Sequence, residues 1–236
     1  MSPMTDRLIP TRRGHSLAAR HLAGRGDPLV VLHAAGFHGR CYPALVERLA
    51  TRFDVWSIDA PGHGHSKVPG DGDFWWQPMA ADVGDALAAL GGGPWRVFGH
   101  SLGGALALLV SRQRPGLIRS IYAYEPIIIP RSMFEARGPV HPLAVASRRR
   151  RDRFGSRAEV FERFASRPPL NQMRADALHA YVTHGTVEED DGVRLRCAGE
   201  SEARVYECDV TDLFDDAGEL GSVVRGAQSL TCQLAL

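Results

Sequence analysis

The feature that most constrains the fold of this chain is a repeated alternation. Four short apolar runs, "PLVVLHA", "FDVWSIDA", "WRVFGH" and "LIRSIYAY", are separated by "YPALVERLATR", "MAADVGDALAALG" and "GGALALLVSRQR", which have helical spacing. Runs this short and apolar suit strands buried on both faces. Helices between them suit crossover connections, so the pattern predicts an α/β fold with parallel strands and helices on both faces of the sheet. Gly91, Gly92 and Gly93 close the second helix, and Pro115 ends the third. Ahead of the alternation, "RLIP" and "SLAARHLA" flank the turn-like "TRRG" and predict an opening hairpin.

The chain has 236 residues, enough to bury a substantial core, and its 44% apolar and 23% charged residues exclude a disordered class. A net charge of +1 gives no bulk electrostatic case for nucleic acid or an anionic membrane. The N-terminus "MSPMTDRLIPTRRG" carries no apolar signal-peptide region, and no apolar run reaches the roughly 18 residues of a membrane span. Cys41, Cys197, Cys208 and Cys232 are scattered, with no paired ligand spacing. They read as free thiols in a reducing cytoplasm, and no metal or cofactor is expected.

After Glu125-Pro126 the alternation stops. The next stretch, with "RAEVFERFAS" and "MRADALHAYVTHG", reads as a helical insertion without a strong strand signal until "DGVRLRC". "RRRRDR" (Arg148 to Arg153) within it reads as a solvated helix face. "GSVVRGA" then predicts one more strand and "QSLTCQLAL" the start of a helix.

One stretch carries chemistry. In "VFGHSLGGALALLV", Ser101 stands between Gly99 and Gly103, on the turn between an apolar strand and an Ala/Leu-rich helix. A serine on such a turn sits in strained backbone that exposes its hydroxyl, at a helix N-terminus whose free N–H groups point toward a reacting carbonyl. The flanking glycines avoid collisions across the turn, and Gly104 is expected to let the helix approach the sheet.

These features together resemble the α/β-hydrolase superfamily, in its branch of lid-bearing bacterial esterase-like hydrolases. The matching motifs run in order: "VVLHAAGFHG", "IDAPGHGHS", "GHSLGG" and "AYEP". The resemblance implies a core over residues 1–129, a helical lid over 130–203 and the C-terminal part of the core over 204–236. It implies Ser101 as nucleophile, with the N–H groups of Leu102 and Ala35 as oxyanion donors. Ala34 stands where the family usually has glycine. His33 is read as structural, and Asp59 as an anchor of its loop. The orienting acid commonly follows a later strand, but Gln228 and Ser229 at that position are not acidic. Glu125 is the acid expected instead. Phe37, His100 and Trp75 are the expected substrate-lining side chains. Alternation along the strand turns the His100 ring away from the Ser101 hydroxyl.

The general base should be a histidine late in the chain. Of 10 histidines the last is His184, inside the expected lid. The resemblance therefore implies a final strand, the base and a helix lying past Leu236, and an incomplete chain of poor solubility. The function expected is hydrolysis of small carboxylic esters or related acyl compounds through an acyl-enzyme on Ser101. The alternatives are a catalytically impaired or inactive fold of the same kind, or a perhydrolase or acyltransferase using the same nucleophile.

Overall fold

The computed structural model describes residues 6–69, 72–128 and 140–208. Six strands form one sheet in the order β1-β2-β4-β3-β5-β6. The strands are β1 (Arg7–Pro10), β2 (Ser16–Ala23), β3 (Asp27–Leu32), β4 (Phe53–Ile58), β5 (Trp95–His100) and β6 (Ile118–Tyr124). The opening hairpin is present, with Arg7 opposite Ala19 and Pro10 opposite Ser16. β2 also pairs antiparallel with β4. The remaining four strands are parallel, with β3 between β4 and β5 and with β6 at the edge of the described sheet.

Side chains alternate across a strand, so β3 shows how both faces fill. Val30 and Leu32 join the larger core, made with α2 (Trp76–Leu90) and α3 (Leu102–Gln113). Leu29 and Val31 face the opposite way, toward α1 (Pro43–Leu49). Leu87, Leu102 and Leu106 are essentially inaccessible in the larger core. Each such side chain contributes roughly 1.5–3 kcal/mol by leaving water. On the α1 side, Phe98, Ile121 and Tyr122 line an open apolar groove of about 870 Å³ along β5 and β6.

The segment after β6 carries the helices that the sequence predicts and a strand within "DGVRLRC", but also two strands that the sequence does not signal. It holds α4 (Pro142–Arg149), α5 (Arg157–Ala165), α6 (Ala175–Gly185) and α7 (Gly199–Glu207). It also holds a three-stranded antiparallel sheet of β7 (Arg153–Phe154), β9 (Gly192–Leu195) and β8 (Thr186–Glu189). Runs of two to four residues are too short for periodicity to reveal, and only their cross-strand partners make them strands. Phe154, Phe164, Leu178, Val182 and Leu195 form a core for this segment, which also takes in Cys41 and packs against Phe37 and Tyr42. The segment is thereby seated on the loop that follows β3. The boundary expected at residue 203 falls inside α7. Val205 of that helix belongs to the larger core, and its carbonyl accepts the Trp76 Nε1–H at 2.9 Å. The strand and helix expected over residues 221–236, with Gln228, Ser229 and Cys232, lie outside the described residues.

No helix among the described residues is long and apolar enough to cross a membrane.

Candidate active site

β5 delivers Ser101 to the C-terminal end of the parallel strands, where ligands bind in open α/β sheets. Ser101 has φ 52° and ψ −115°. Its backbone is fixed from two sides: its N–H donates to the Tyr124 carbonyl at 3.0 Å, and its carbonyl accepts the Gly104 N–H at 3.0 Å. The glycines around it are required by close approach. A Cβ on Gly99 would meet the Gly103 carbonyl and Gly104 nitrogen at 2.7 Å. A Cβ on Gly103 would strike the carbonyl of Leu32 on β3, so Gly103 is the glycine that meets the sheet. Gly104, expected in that role, instead faces Pro126, where an added Cβ would come within 2.8 Å of the proline ring.

Glu125 follows β6 and is exposed, with φ 45°. Ser101 and Glu125 are the two non-glycine residues with positive φ among the described residues. Such backbone costs on the order of 1–3 kcal/mol and persists where surrounding structure enforces it, most often at functional sites. The two are also neighbours in the fold. β5 and β6 pair His100 with Tyr124, and each strained residue comes next in its strand.

The loop after β3 closes another side. The Phe37 N–H donates to the Ala34 carbonyl at 3.1 Å, which makes residues 34–37 a turn. Ala34 and Ala35 are buried. Among the described residues no acceptor pairs with the N–H of Ala35 or of Leu102. The loop is braced by His33, whose Nε2 accepts the Ala60 N–H at 2.9 Å and whose Nδ1–H donates to the Ala34 carbonyl at 2.8 Å. Both ring nitrogens are occupied in the neutral form, and burial pulls the His33 pKa down to about 3. Asp59 anchors the neighbouring loop by accepting the N–H groups of Gly39 at 2.8 Å and His65 at 2.9 Å. Burial works against its charge, but the nearby histidines and these two N–H groups hold its carboxyl below the usual range.

His100 packs its ring edge-on with Phe37, 6.2 Å between centroids, and against Tyr124 at 5.3 Å. Burial lowers its pKa, and the nearby charge of Glu125 offsets part of the effect. Trp75 stands half-exposed at the N-terminus of α2, whereas Trp76 is buried in the core.

Among the described residues no histidine nitrogen lies within hydrogen-bond reach of the Ser101 hydroxyl. The histidines are engaged elsewhere: His38 with the Tyr181 carbonyl, His63 with the Pro61 carbonyl, His65 with Asp6 and His184 with Arg40. His141 stacks on Tyr206 at 5.5 Å.

Two residues that sequence reasoning missed touch this region. The carboxylate of Glu202 lies beside Gly36, where a Cβ would come within 2.5 Å of Oε1, and the positive φ of Gly36 permits the approach. Glu202 is itself paired with Arg150. Tyr42 reaches both Ala34 and His100 with its hydroxyl. Neither residue lies in a motif, and their partners are distant in sequence.

Comparison with known proteins bears on the family and the fold. The pimeloyl-[acyl-carrier protein] methyl ester esterase of Methylococcus capsulatus is 37% identical over 99 residues, 42% of this chain and 37% of that protein. The (E)-2-((N-methylformamido)methylene)succinate hydrolase of Acinetobacter baylyi is 31% identical over 96 residues, 41% of this chain and 36% of that protein. The match thus spans little more than a third of these relatives' length. Among solved structures, E-2-(acetamidomethylene)succinate hydrolase superposes with a TM-score of 0.72 at 22% identity, covering 86% of this chain and 72% of that one. An esterase of M. tuberculosis superposes with a TM-score of 0.68 at 21% identity, covering 92% and 72%. The family described as "alpha/beta hydrolase fold" matches residues 27–187. With the parallel strands, the flanking helices and the strained turn at Ser101, that match establishes that the chain belongs to the α/β-hydrolase fold family.

Proposed function

We propose that this protein is a serine hydrolase of small carboxylic esters or related acyl compounds, acting through an acyl-enzyme on Ser101. The observation that carries the reading is the strained Ser101 at a strand-to-helix turn, with the buried N–H groups of Leu102 and Ala35 lacking acceptors among the described residues. In the mechanism, the Ser101 oxygen attacks the acyl carbonyl carbon. The negative charge that develops on the carbonyl oxygen is met by the N–H groups of Ala35 and Leu102 and by the N-terminal end of α3. The tetrahedral intermediate breaks its bond to the alkoxy oxygen, which leaves as the alcohol with the proton given up by the Ser101 hydroxyl. Water then attacks the acyl carbon, and one water proton returns to the Ser101 oxygen as the acid leaves. Glu125 is the acid of this reading, and Phe37, His100 and Trp75 are its substrate-lining residues. Named relatives that act on a methyl ester and on a substituted succinate support the substrate class. The free thiols of Cys41, Cys197 and Cys208 fit a reducing compartment such as the cytoplasm.

One observation favours the impaired form of this activity. Among the described residues no histidine reaches the Ser101 hydroxyl, so none of them takes its proton. Oxyanion stabilisation and binding alone retain roughly 10³–10⁴-fold over water in serine hydrolases stripped of their triad. The chain is therefore expected to acylate slowly and turn over poorly. Incubation with a p-nitrophenyl ester followed by intact-mass measurement tests the proposal. A single acyl adduct on wild-type protein, missing in Ser101→Ala, supports it. Nitrophenol release at equal rates from both proteins overturns it.

A further inference from the structure

Tyr42 begins α1 and is held on several sides. Its carbonyl accepts the Val46 N–H at 2.9 Å, and its ring meets Phe98 at 6.1 Å and His100 at 6.0 Å, both edge-on. Its hydroxyl lies 3.1 Å from the Ala34 nitrogen and 3.0 Å from His100 Nδ1. These two contacts have only one assignment that satisfies every group. The Ala34 N–H can only donate, so the phenol oxygen accepts there. The phenol has one proton, and Nδ1 is the other group within reach of it, so Nδ1 must be the acceptor. If the ring donated from Nδ1 as well, the phenol proton of this half-buried pair would have no protein partner among the described residues. Burial raises the Tyr42 pKa and lowers that of His100, so both stay neutral near pH 7.

We propose that Tyr42 is a positioning residue that ties the loop after β3 to the turn carrying Ser101. Its hydroxyl accepts from Ala34 and donates to His100, fixing the Nε2–H tautomer of the residue before Ser101. The inference rests on the proposed role of Ser101 and of the Ala35 N–H. Ala34 and His100 each adjoin one of those residues, so a single hydroxyl sets the spacing between serine and donor. Such an interaction acts on the acylation transition state more than on initial binding.

The test combines a spectrum with a rate. Nitrogen-15 histidine spectra of wild-type protein should show His100 with Nδ1 unprotonated and Nε2 protonated, and Tyr42→Phe should remove that preference. In saturation kinetics with a fluorophosphonate probe, Tyr42→Phe should lower the maximal labelling rate about tenfold while leaving half-saturation unchanged. His100→Leu and the double variant complete a cycle, in which the double should lose no more than either single variant. An Nδ1–H tautomer in the wild type, or a Tyr42→Phe variant with unchanged spectrum and rate, overturns the proposal. Those failures leave labelling at Ser101 intact. If the wild-type spectrum is as expected but Ser101 does not label at all, the nucleophile reading fails, and the positioning role falls with it.

Discussion

Ser101 and Glu125 stand side by side at the ends of β5 and β6, each one residue past the paired His100 and Tyr124, and both in left-handed backbone. The Ser101 N–H reaches across to the carbonyl of Tyr124, the residue before Glu125, so one hydrogen bond ties the strained serine to the end of β6. Strain of this kind is retained when it places a side chain where an unstrained chain could not. Here it lifts a hydroxyl above the sheet, next to the N-terminus of α3.

Among the described residues no histidine reaches the Ser101 hydroxyl, which leaves room for an external base. Added imidazole should accelerate fluorophosphonate labelling of wild-type protein on the order of tenfold or more, because a positioned general base contributes 10²–10⁴. A non-basic additive at equal ionic strength should have no such effect. Labelling insensitive to imidazole would mean that a base is already at work on Ser101.

Acid should weaken the fold through two buried rings. His33 and His38 are pulled down to about 3 and about 4 by burial. In each ring one nitrogen already accepts a backbone N–H, from Ala60 and from Arg40. The unfolded rings take up a proton near pH 6.5, and the folded ones do not. The contribution of these two rings is therefore level above about pH 6.5 and falls as pH drops from 6.5 toward 4, by up to about 2 kcal/mol per ring at pH 5. That loss outweighs the opposite contribution of His63, whose pKa is raised to about 9. Urea midpoints at pH 7.5 and pH 5 measure this. A midpoint that holds or rises at pH 5 contradicts it.

The pair Arg150–Glu202 joins the end of α4 to α7, with the Glu202 carboxylate lying beside the loop at Gly36. Glu202 is buried, and Arg150 also donates to the Cys197 carbonyl at 3.0 Å. Removing one partner strands a buried charge. Arg150→Met should cost about 3 kcal/mol in urea unfolding, and Arg150→Met combined with Glu202→Leu should recover most of it. Equal losses in the single and double variants would show that the pair does not act as a unit.

Much of the sheet was legible because its strands announce themselves. "PLVVLHA" and "FDVWSIDA" are apolar on both faces, and only a strand covered by helices on both sides needs that pattern. The Ser101 turn was legible for a related reason: glycines at 99 and 103 answer steric contacts with each other and with Leu32 that any such turn must make. The two-residue β7 was not legible, since its partner β9 lies far along the chain, and β8, though it meets β9 through a tight hairpin, is too short for periodicity to reveal. Tyr42 was missed because an aromatic at the start of a helix normally signals packing. Its hydroxyl gains meaning only when residues 8 and 58 positions away meet it. Glu202 lies in no motif, and only its approach to Gly36 and its pairing with Arg150 mark it out.

The most direct test of the central claim is the site of covalent labelling. Folded protein is treated with a fluorophosphonate, digested, and mapped by mass spectrometry. The account predicts one adduct per chain, on Ser101, and none on Ser101→Ala. An adduct that persists in Ser101→Ala, or prolonged exposure of folded wild-type protein without an adduct, would contradict it.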